Sequence, residues 1–235
     1  MAEGPQPSTA FSETDLRRAV IEAARAMSRE GLSPGRSGNV SVRCEGGMLI
    51  TPTGLAYDGL TAEQIVLMRA DGGMARGSLL PSSEWQLHRA IYDAKPEAGA
   101  IVHCHSTNAT ALACTLRPIP AFHYMVAAAG GVDIPLAPYA TFGTPGLAQR
   151  VAETLRDRRA CLLAHHGQIA HGADLAAALD LAREVEILAA QYLKTLQIGG
   201  GPILGDADMT EVLEKFRTYG QQKRPAGRRP RPPNR

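Results

Sequence analysis

The sequence predicts a single α/β domain in which a mixed, mainly antiparallel central sheet is flanked by helices. Three observations carry that expectation. The stretch "NVSVRCEGGMLITP" (39–52) alternates apolar and polar residues, turns at Gly46-Gly47 and alternates again, as an antiparallel hairpin does. Strand-like and helix-like segments intermingle along the rest of the chain, and the early hairpin argues against an all-parallel doubly wound sheet. No GxGxxG or Walker-type phosphate loop is present, and 235 residues suit one large domain better than two small ones.

The elements follow in chain order. "SETDLRRAVIEAARAMSRE" (12–30) has Ser12 with Asp15 three residues on, apolar residues at helical spacing and Gly31 as its stop, and predicts the first helix. After the hairpin, "EQIVLMRADGGMARG" (63–77) predicts a strand and turn, and "PSSEWQLHRAIYDA" (81–94) opens a helix with Pro and Ser. "KPEAGAIVHCHS" (95–106) predicts a short strand bounded by Pro96 and Gly99, and "TNATALACTL" (107–116) a helix. A helix over 147–155, a strand at "ACLLAHHG" (160–167), a long amphipathic helix capped near Asp174 and a last helix over 208–219 complete the chain.

With 44% hydrophobic residues the chain can bury a substantial core. Apolar runs such as "AIVHC" and "ACLLA" are too short to cross a bilayer, and the N-terminus lacks the basic-then-apolar layout of a secretory signal. A soluble cytoplasmic protein without a membrane partner is therefore expected. Cys44, Cys104, Cys114 and Cys161 are scattered without a CxxC pair, which favours reduced core thiols over a zinc knuckle or a disulfide framework. The formal charge of +2 rests largely on "KRPAGRRPRPPNR", without which the chain would be acidic, so no nucleic-acid partner is expected. That basic Pro/Arg-rich tail, residues 223–235, has no apolar side chain larger than Ala226 and is expected to be disordered. Residues 1–11 form an N-terminal extension, leaving 12–222 as the domain.

The chemistry concentrates at histidines. In "AIVHCHSTNAT" (100–110) alternate side chains of the strand share a face, so His103 and His105 project together while Cys104 points away. That spacing suits two ligands on one metal. In "ACLLAHHG", His165 and His166 would face opposite sides of a strand, so at most one joins the pair, and position alone does not choose. Three neutral imidazoles suit Zn²⁺, with a fourth position left for water, substrate or a displaceable carboxylate. Glu84, in the first turn of the helix opened by "PSSE", is the candidate carboxylate, although a Glu there also offsets the helix dipole. The hydroxyls of Ser82 and Ser83 stand at the same helix start beside unpaired backbone N–H groups, a setting that binds phosphate. His88, His123 and His171 lack ligand spacing and are expected at the surface, behind the ligands or facing substrate.

The blocks "SGNVSVR", "GMLITPTG", "LPSSEW", "AIVHCH", "IPAFHYMVAAAGG", "APYATFGT", "LLAHHG" and "EKFRTYG", in this order over residues 12–220, resemble the class II aldolase family, which also includes epimerases and adducin-like heads. The resemblance is nearest to the L-fuculose-phosphate aldolase branch. It implies the fold of that family and a zinc site of His103, His105 and His166, so that His166 is chosen over His165, with Mn²⁺ or Co²⁺ as alternative ions. Glu84 is implied as a further ligand that leaves the metal and becomes the acid/base. Phosphate contacts are implied from Ser37, Gly38, Asn39, Thr53, Gly54, Ser82 and Ser83. Arg36 stands where the fuculose enzymes carry a small hydroxyl residue, so a guanidinium replaces that contact. Tyr124 matches a tyrosine that crosses from a neighbouring subunit of a homotetramer to exchange the proton of the aldehyde oxygen, and Phe142, Phe216 and Tyr219 match residues that close over the substrate. The implied reaction is retro-aldol cleavage of a ketose 1-phosphate to dihydroxyacetone phosphate and an aldehyde. A sugar-phosphate 4-epimerase and a noncatalytic adducin-like domain are the competing readings.

Overall fold

A computed structural model describes residues 12–218, so the N-terminal extension, the basic tail and Tyr219 lie outside the described residues. Helix α1 (Glu13–Arg29) starts where the Ser12 hydroxyl accepts the Asp15 backbone N–H, and it buries Val20, Ile21, Ala24 and Met27 along one face. The hairpin of β1 (Asn39–Cys44) and β2 (Gly47–Ile50) pairs Ser41 with Ile50 and Cys44 with Gly47. Gly47 is required because a Cβ there would meet the Met68 carbonyl oxygen of β3 (Val66–Arg69) at 2.0 Å. Then come α2 (Trp85–Ala94), β4 (Ala100–Cys104), α3 (Thr107–Cys114), β5 (Leu136–Ala137), α4 (Pro145–Thr154), β6 (Ala160–Leu163), β7 (Gly167–Gly172), α5 (Leu175–Gln197) and α6 (Asp206–Phe216).

The strands form a seven-stranded sheet in the order β3-β2-β1-β4-β7-β6-β5. Every neighbouring pair is antiparallel except β5 with β6, so the expected mixed, mainly antiparallel sheet is observed. Period-two alternation divides the core into two layers. Val40, Val42, Ala100, Val102, Leu162 and Ala170 face Met27, Leu112 and Val185 of α1, α3 and α5. Met48, Ile50, Ile101, Cys161, Leu163 and Ile169 face Leu87, Ile91, Leu147 and Val151 of α2 and α4. Among the described residues no helix is long and apolar enough to cross a membrane.

Several local expectations are corrected. The predicted strand at "ACLLAHHG" ends at Leu163, and residues 164–166 form the turn into β7, a strand the sequence reading does not contain. β7 is buried on both faces, so "GQIAHG" shows no polar-out alternation, and its terminal glycines read as loop. The last helix runs from Asp206 to Phe216, with Asp206 and Asp208 in its first turn. Cys104 and Cys161 are buried free thiols, but Cys114 is exposed on the last turn of α3 and Cys44 is half-buried at a strand end, so only two of the four cysteines are core residues.

The N-terminus of α3 immediately follows His105, and its cap comes from another helix. Ser106 makes no side-chain capping bond. Instead the Glu186 carboxylate of α5 accepts the backbone N–H groups of Asn108 and Ala109, each at 2.9 Å, and the Asn108 side-chain amide at 2.7 Å. Glu186→Ala leaves those donors without a protein partner and is expected to lower stability by about 1 to 2 kcal/mol. Urea unfolding at constant m-value measures this, and a variant as stable as the parent chain would remove Glu186 from the capping role.

Candidate active site

The site is built on the pairing of β1 with β4, whose register sets Asn39 opposite His103 and Ser41 opposite Ile101. Asn39, Ser41 and His103 therefore share the sheet face covered by α2. His105 lies one residue beyond the end of β4 but stays on the side of His103, and their Nε2 atoms are 3.1 Å apart. Cys104 points into the opposite core layer, as strand alternation predicts.

The β6–β7 turn supplies the third imidazole. Because His165 and His166 sit in a turn rather than a strand, the opposite-faces argument does not govern them. His165 takes a left-handed backbone, φ +55°, and its ring meets Tyr139 edge-on at 6.0 Å, whereas the His166 ring packs 4.8 Å from His103 and 4.7 Å from His105. Gly167 lets the turn close onto β4: a Cβ there would stand 2.5 Å from the Cys104 carbonyl oxygen and 2.9 Å from the His105 ring.

Glu84 is the N-cap residue of α2, one position before the first helical turn, and its side chain makes no capping bond. The dipole-offsetting role therefore does not describe where the carboxylate goes. It turns under the sheet, 4% exposed, with Oε2 at 3.1 Å from both His103 Nε2 and Asn39 Nδ2, and Oε1 at 3.3 Å from His166 Nε2. Oε1 is buried without a hydrogen-bond partner.

The electrostatics follow from this crowding. Burial alone would raise the Glu84 carboxyl pKa, but the charge and hydrogen bond of His103, the charge of His166 and the Asn39 amide together hold it well below the usual carboxylate range. Burial pulls His105 down to about 3 and His166 to about 4, with the neighbouring imidazoles adding to the effect, so both are neutral at physiological pH. His103 moves upward: burial opposes its charge but is outweighed by the Glu84 carboxylate, its hydrogen bond and the Gln168 carbonyl. His103 Nδ1–H donates to that carbonyl at 2.8 Å, which aims Nε2 at the other ligand atoms.

The residues fit a metal ion. One ligand atom from each of Glu84, His103, His105 and His166 lies within 4.8 Å of all the others. Imidazole nitrogens and an orphaned carboxylate oxygen converge there, a donor set that a divalent cation satisfies and that costs energy when left unpaired.

Above this cluster opens a cavity of about 340 Å³. Its walls include Ser37, Gly38 and Asn39 from the α1–β1 loop and the start of β1, Thr53 and Gly54 after β2, Ser82 and Ser83 before α2, and Phe142, so all seven candidate phosphate contacts meet in one place. Among the described lining residues Arg36 is the sole Lys or Arg side chain, and its guanidinium donates to the Gly54 carbonyl at 3.1 Å. Tyr124 and Phe216 are not in this lining within the chain. Tyr124 is 46% exposed and stacks on His123 at 4.7 Å, and Phe216 borders clefts with Met125 and Arg159.

Sequence reasoning did not assign four of the lining residues, Pro52, Tyr139, Ala140 and His165, nor the partners of His88, which is fully buried between Asn39 and Ser41. The available signal was Asn39 and Ser41 alternating as polar side chains on a strand whose other face is Val40 and Val42. His171 is also buried, against the Arg158 carbonyl, and His123 caps the Met125 N–H.

The sequence matches the family described as "Class II Aldolase and Adducin N-terminal domain" over residues 18–193. L-fuculose phosphate aldolase of Escherichia coli (strain K12) is 52% identical over 206 residues, spanning 87% of this chain and 95% of the relative. A 5-methylthioribulose-1-phosphate/5-deoxyribulose-1-phosphate aldolase of Rhodospirillum rubrum is 51% identical over 209 residues, spanning 89% of this chain and 94% of the relative. A solved structure of an L-fuculose 1-phosphate aldolase superposes with a TM-score of 0.84 at 37% identity, covering 89% of this chain and 100% of that one. With the matched segment containing every member of the histidine and glutamate cluster, the chain belongs to the class II aldolase and adducin N-terminal domain family.

Proposed function

We propose that the chain is a zinc-dependent aldolase that cleaves a ketose 1-phosphate, of the L-fuculose 1-phosphate or 5-deoxy- or 5-(methylthio)ribulose 1-phosphate type, into dihydroxyacetone phosphate and L-lactaldehyde, acetaldehyde or methylthioacetaldehyde. The observation that carries this reading is the cluster of Glu84, His103, His105 and His166 at the floor of a cavity walled by three hydroxyl- and amide-bearing loops. The ion they would hold, zinc by its preference for imidazole, supplies Lewis-acid stabilisation of the negative charge that develops at the substrate carbonyl oxygen, worth several kcal/mol.

The chain's own residues do the rest. Ser37, Gly38, Asn39, Thr53, Gly54, Ser82 and Ser83 hold the phosphate from three sides, and Arg36 places a positive charge beside it. This fixes the distance from the phosphate to the C3–C4 bond and so presents that bond to Glu84. As the C4 hydroxyl proton passes to the Tyr124 oxygen, which releases its own hydrogen to solvent, the C3–C4 bond breaks, the aldehyde leaves and the electron pair stays at C3. Glu84 takes up a proton from solvent and delivers it to C3, which balances the one lost from C4. Oε1 is the oxygen suited to carry it, because Oε2 already accepts an N–H from Asn39.

Tyr124 performs this role in the cavity of a neighbouring subunit of a homotetramer, and Phe142, Phe216 and Tyr219 are the residues assigned to substrate closure. Its exposure and its absence from the lining of its own cavity support that assignment of Tyr124. The aldehyde end of the substrate meets Tyr139, Ala140 and Phe142. The phosphorylated substrate and product place the enzyme in the cytoplasm.

A panel of fuculose, ribulose, 5-deoxyribulose and 5-(methylthio)ribulose 1-phosphates tests the reaction by release of dihydroxyacetone phosphate. His105→Ala is expected to lose bound metal, and Glu84→Gln to keep most of it while turnover falls about 10²- to 10⁴-fold. Release from no member of the panel by metal-loaded protein would sink the aldolase reading, and a Gln variant of normal rate would remove Glu84 from proton transfer.

Tyr124→Phe and Glu84→Gln subunits are each expected to be nearly inactive as homo-oligomers. Mixed oligomers should regain activity, since some sites combine an intact Glu84 with an intact Tyr124 from the adjacent chain. Mixtures no more active than the parents would place both residues in one subunit's site.

Metal uptake is also expected to release protons. The Glu84 carboxylate raises His103, whose proton must leave before its imidazole can ligate, whereas His105 and His166, at about 3 and about 4, are already neutral. Metal affinity should therefore weaken as pH falls through the raised His103 pKa. Calorimetric titrations in buffers of different ionisation enthalpy read the proton count, and zero release at pH 7 would mean that His103 is neutral before binding.

A further inference from the structure

Behind Glu84 runs a line of buried polar groups that the aldol step itself does not touch. His88 of α2 has no exposed surface; its Nε2 lies 2.5 Å from Asn39 Oδ1 and its Nδ1 2.7 Å from Ser41 Oγ, which is 2.9 Å from Tyr92 Oη. Asn39 Nδ2 in turn lies 3.1 Å from Glu84 Oε2. Four residues on two elements thus connect, bond by bond, to the carboxylate.

The chemistry of the groups sets the direction of every bond. A carboxylate can only accept, so the Asn39 amide must present its N–H₂ to Glu84 and its carbonyl oxygen to His88. That oxygen also only accepts, so the hydrogen of the imidazole sits on Nε2. A neutral ring then has its lone pair on Nδ1 and accepts the Ser41 hydroxyl hydrogen. The Ser41 oxygen, its own hydrogen committed, accepts from the Tyr92 hydroxyl. Burial supports the neutral ring, pushing His88 down to about 3, with the charge of His103 acting the same way and that of Glu84 opposing it.

We propose that His88 is a positioning residue: by locking the Asn39 amide in one orientation it anchors Glu84 through Oε2 and leaves Oε1 alone to face His166 and the cavity. Were the amide to turn over, its carbonyl oxygen would stand about where Nδ2 now is, and two acceptors would oppose each other inside the core. The histidine prevents this because a neutral ring with Nδ1 already occupied offers only a donor to Asn39. The geometric claim concerns the chain alone, while its effect on turnover rests on the reading of Glu84 as the proton carrier.

Two measurements separate those layers. In metal-free protein with ¹⁵N-labelled histidine, long-range ¹H–¹⁵N spectra should show His88 as the Nε2–H tautomer at pH 7, its signals identified by their loss in His88→Gln. An Nδ1–H tautomer would overturn the proposal whatever the substrate proves to be. On metal-loaded enzyme, His88→Leu should lower kcat by about 10- to 100-fold with KM changed less than about threefold, because Asn39 alone of the seven phosphate contacts is bonded to His88. His88→Gln, whose amide can donate to Asn39 and accept from Ser41, should recover most of that loss. A folded Leu variant of normal kcat, or a folded Gln variant as slow as the Leu variant, would reduce His88 to core packing. If the panel of ketose phosphates fails altogether, the tautomer measurement still decides the geometric claim.

Discussion

The site depends on burying one carboxylate in the right place. An ionised carboxylate taken out of water costs several kcal/mol unless cations and hydrogen-bond donors meet its oxygens. Glu84 has Asn39 and His103 on Oε2, and both come from neighbouring strands whose antiparallel register makes them direct partners. A one-residue slip between β1 and β4 would carry Asn39 to the opposite core layer and leave Oε2 with one donor. The apolar alternation of Val40 and Val42 against Ala100 and Val102 therefore does more than fill a core. It fixes the register that the carboxylate requires.

Once that pairing is set, the other groups converge through close backbone approaches that tolerate no side chain. A Cβ at Gly38 would stand 2.8 Å from Ser33 Oγ and 2.9 Å from the His103 carbonyl oxygen, and one at Gly167 would push into Cys104 and His105. These two glycines draw the α1–β1 loop and the β6–β7 turn against the same end of β4. The turn carries a local cost, since His165 holds a left-handed backbone that residues with a Cβ rarely adopt. That conformation directs His166 into the cluster and sets the His165 ring beside Tyr139 at the wall of the cavity.

What was legible in the sequence follows from which signals are local. The hairpin, the helix starts at Ser12 and Asp174 and the shared face of His103 and His105 all rest on spacing within a few residues, and the structure has them. Strand β7 was not legible because both faces are buried, and with it went the turn that decides between His165 and His166. Spacing left that choice open, and the family resemblance supplied His166. Glu84 was placed one residue too far into its helix, because "PSSE" does not reveal that its side chain forgoes capping to reach strands distant in sequence. The link from His88 to Glu84 spans partners 45 to 51 residues apart, so no local pattern could show it.

The two ends of the cavity differ in how sharply they can select a substrate. A polar group built to bond a particular oxygen rejects a substrate lacking it by factors of about 10⁴ to 10⁵, because its buried partner is left unpaired, whereas an apolar wall distinguishes a methyl group by only roughly 1 to 3 kcal/mol. On the proposed reading the hydroxyl- and amide-bearing loops and Glu84 form the first kind of end, and Ala140 and Phe142 the second. Relatives that keep the polar half can thus differ in the aldehyde they release through modest changes in that wall. This accounts for two relatives named for different ketose phosphates standing at 52% and 51% identity to the same chain. Overall similarity is dominated by the fold and the polar half, so on the proposed reading the aldehyde would be decided by the few side chains around Tyr139 and Phe142.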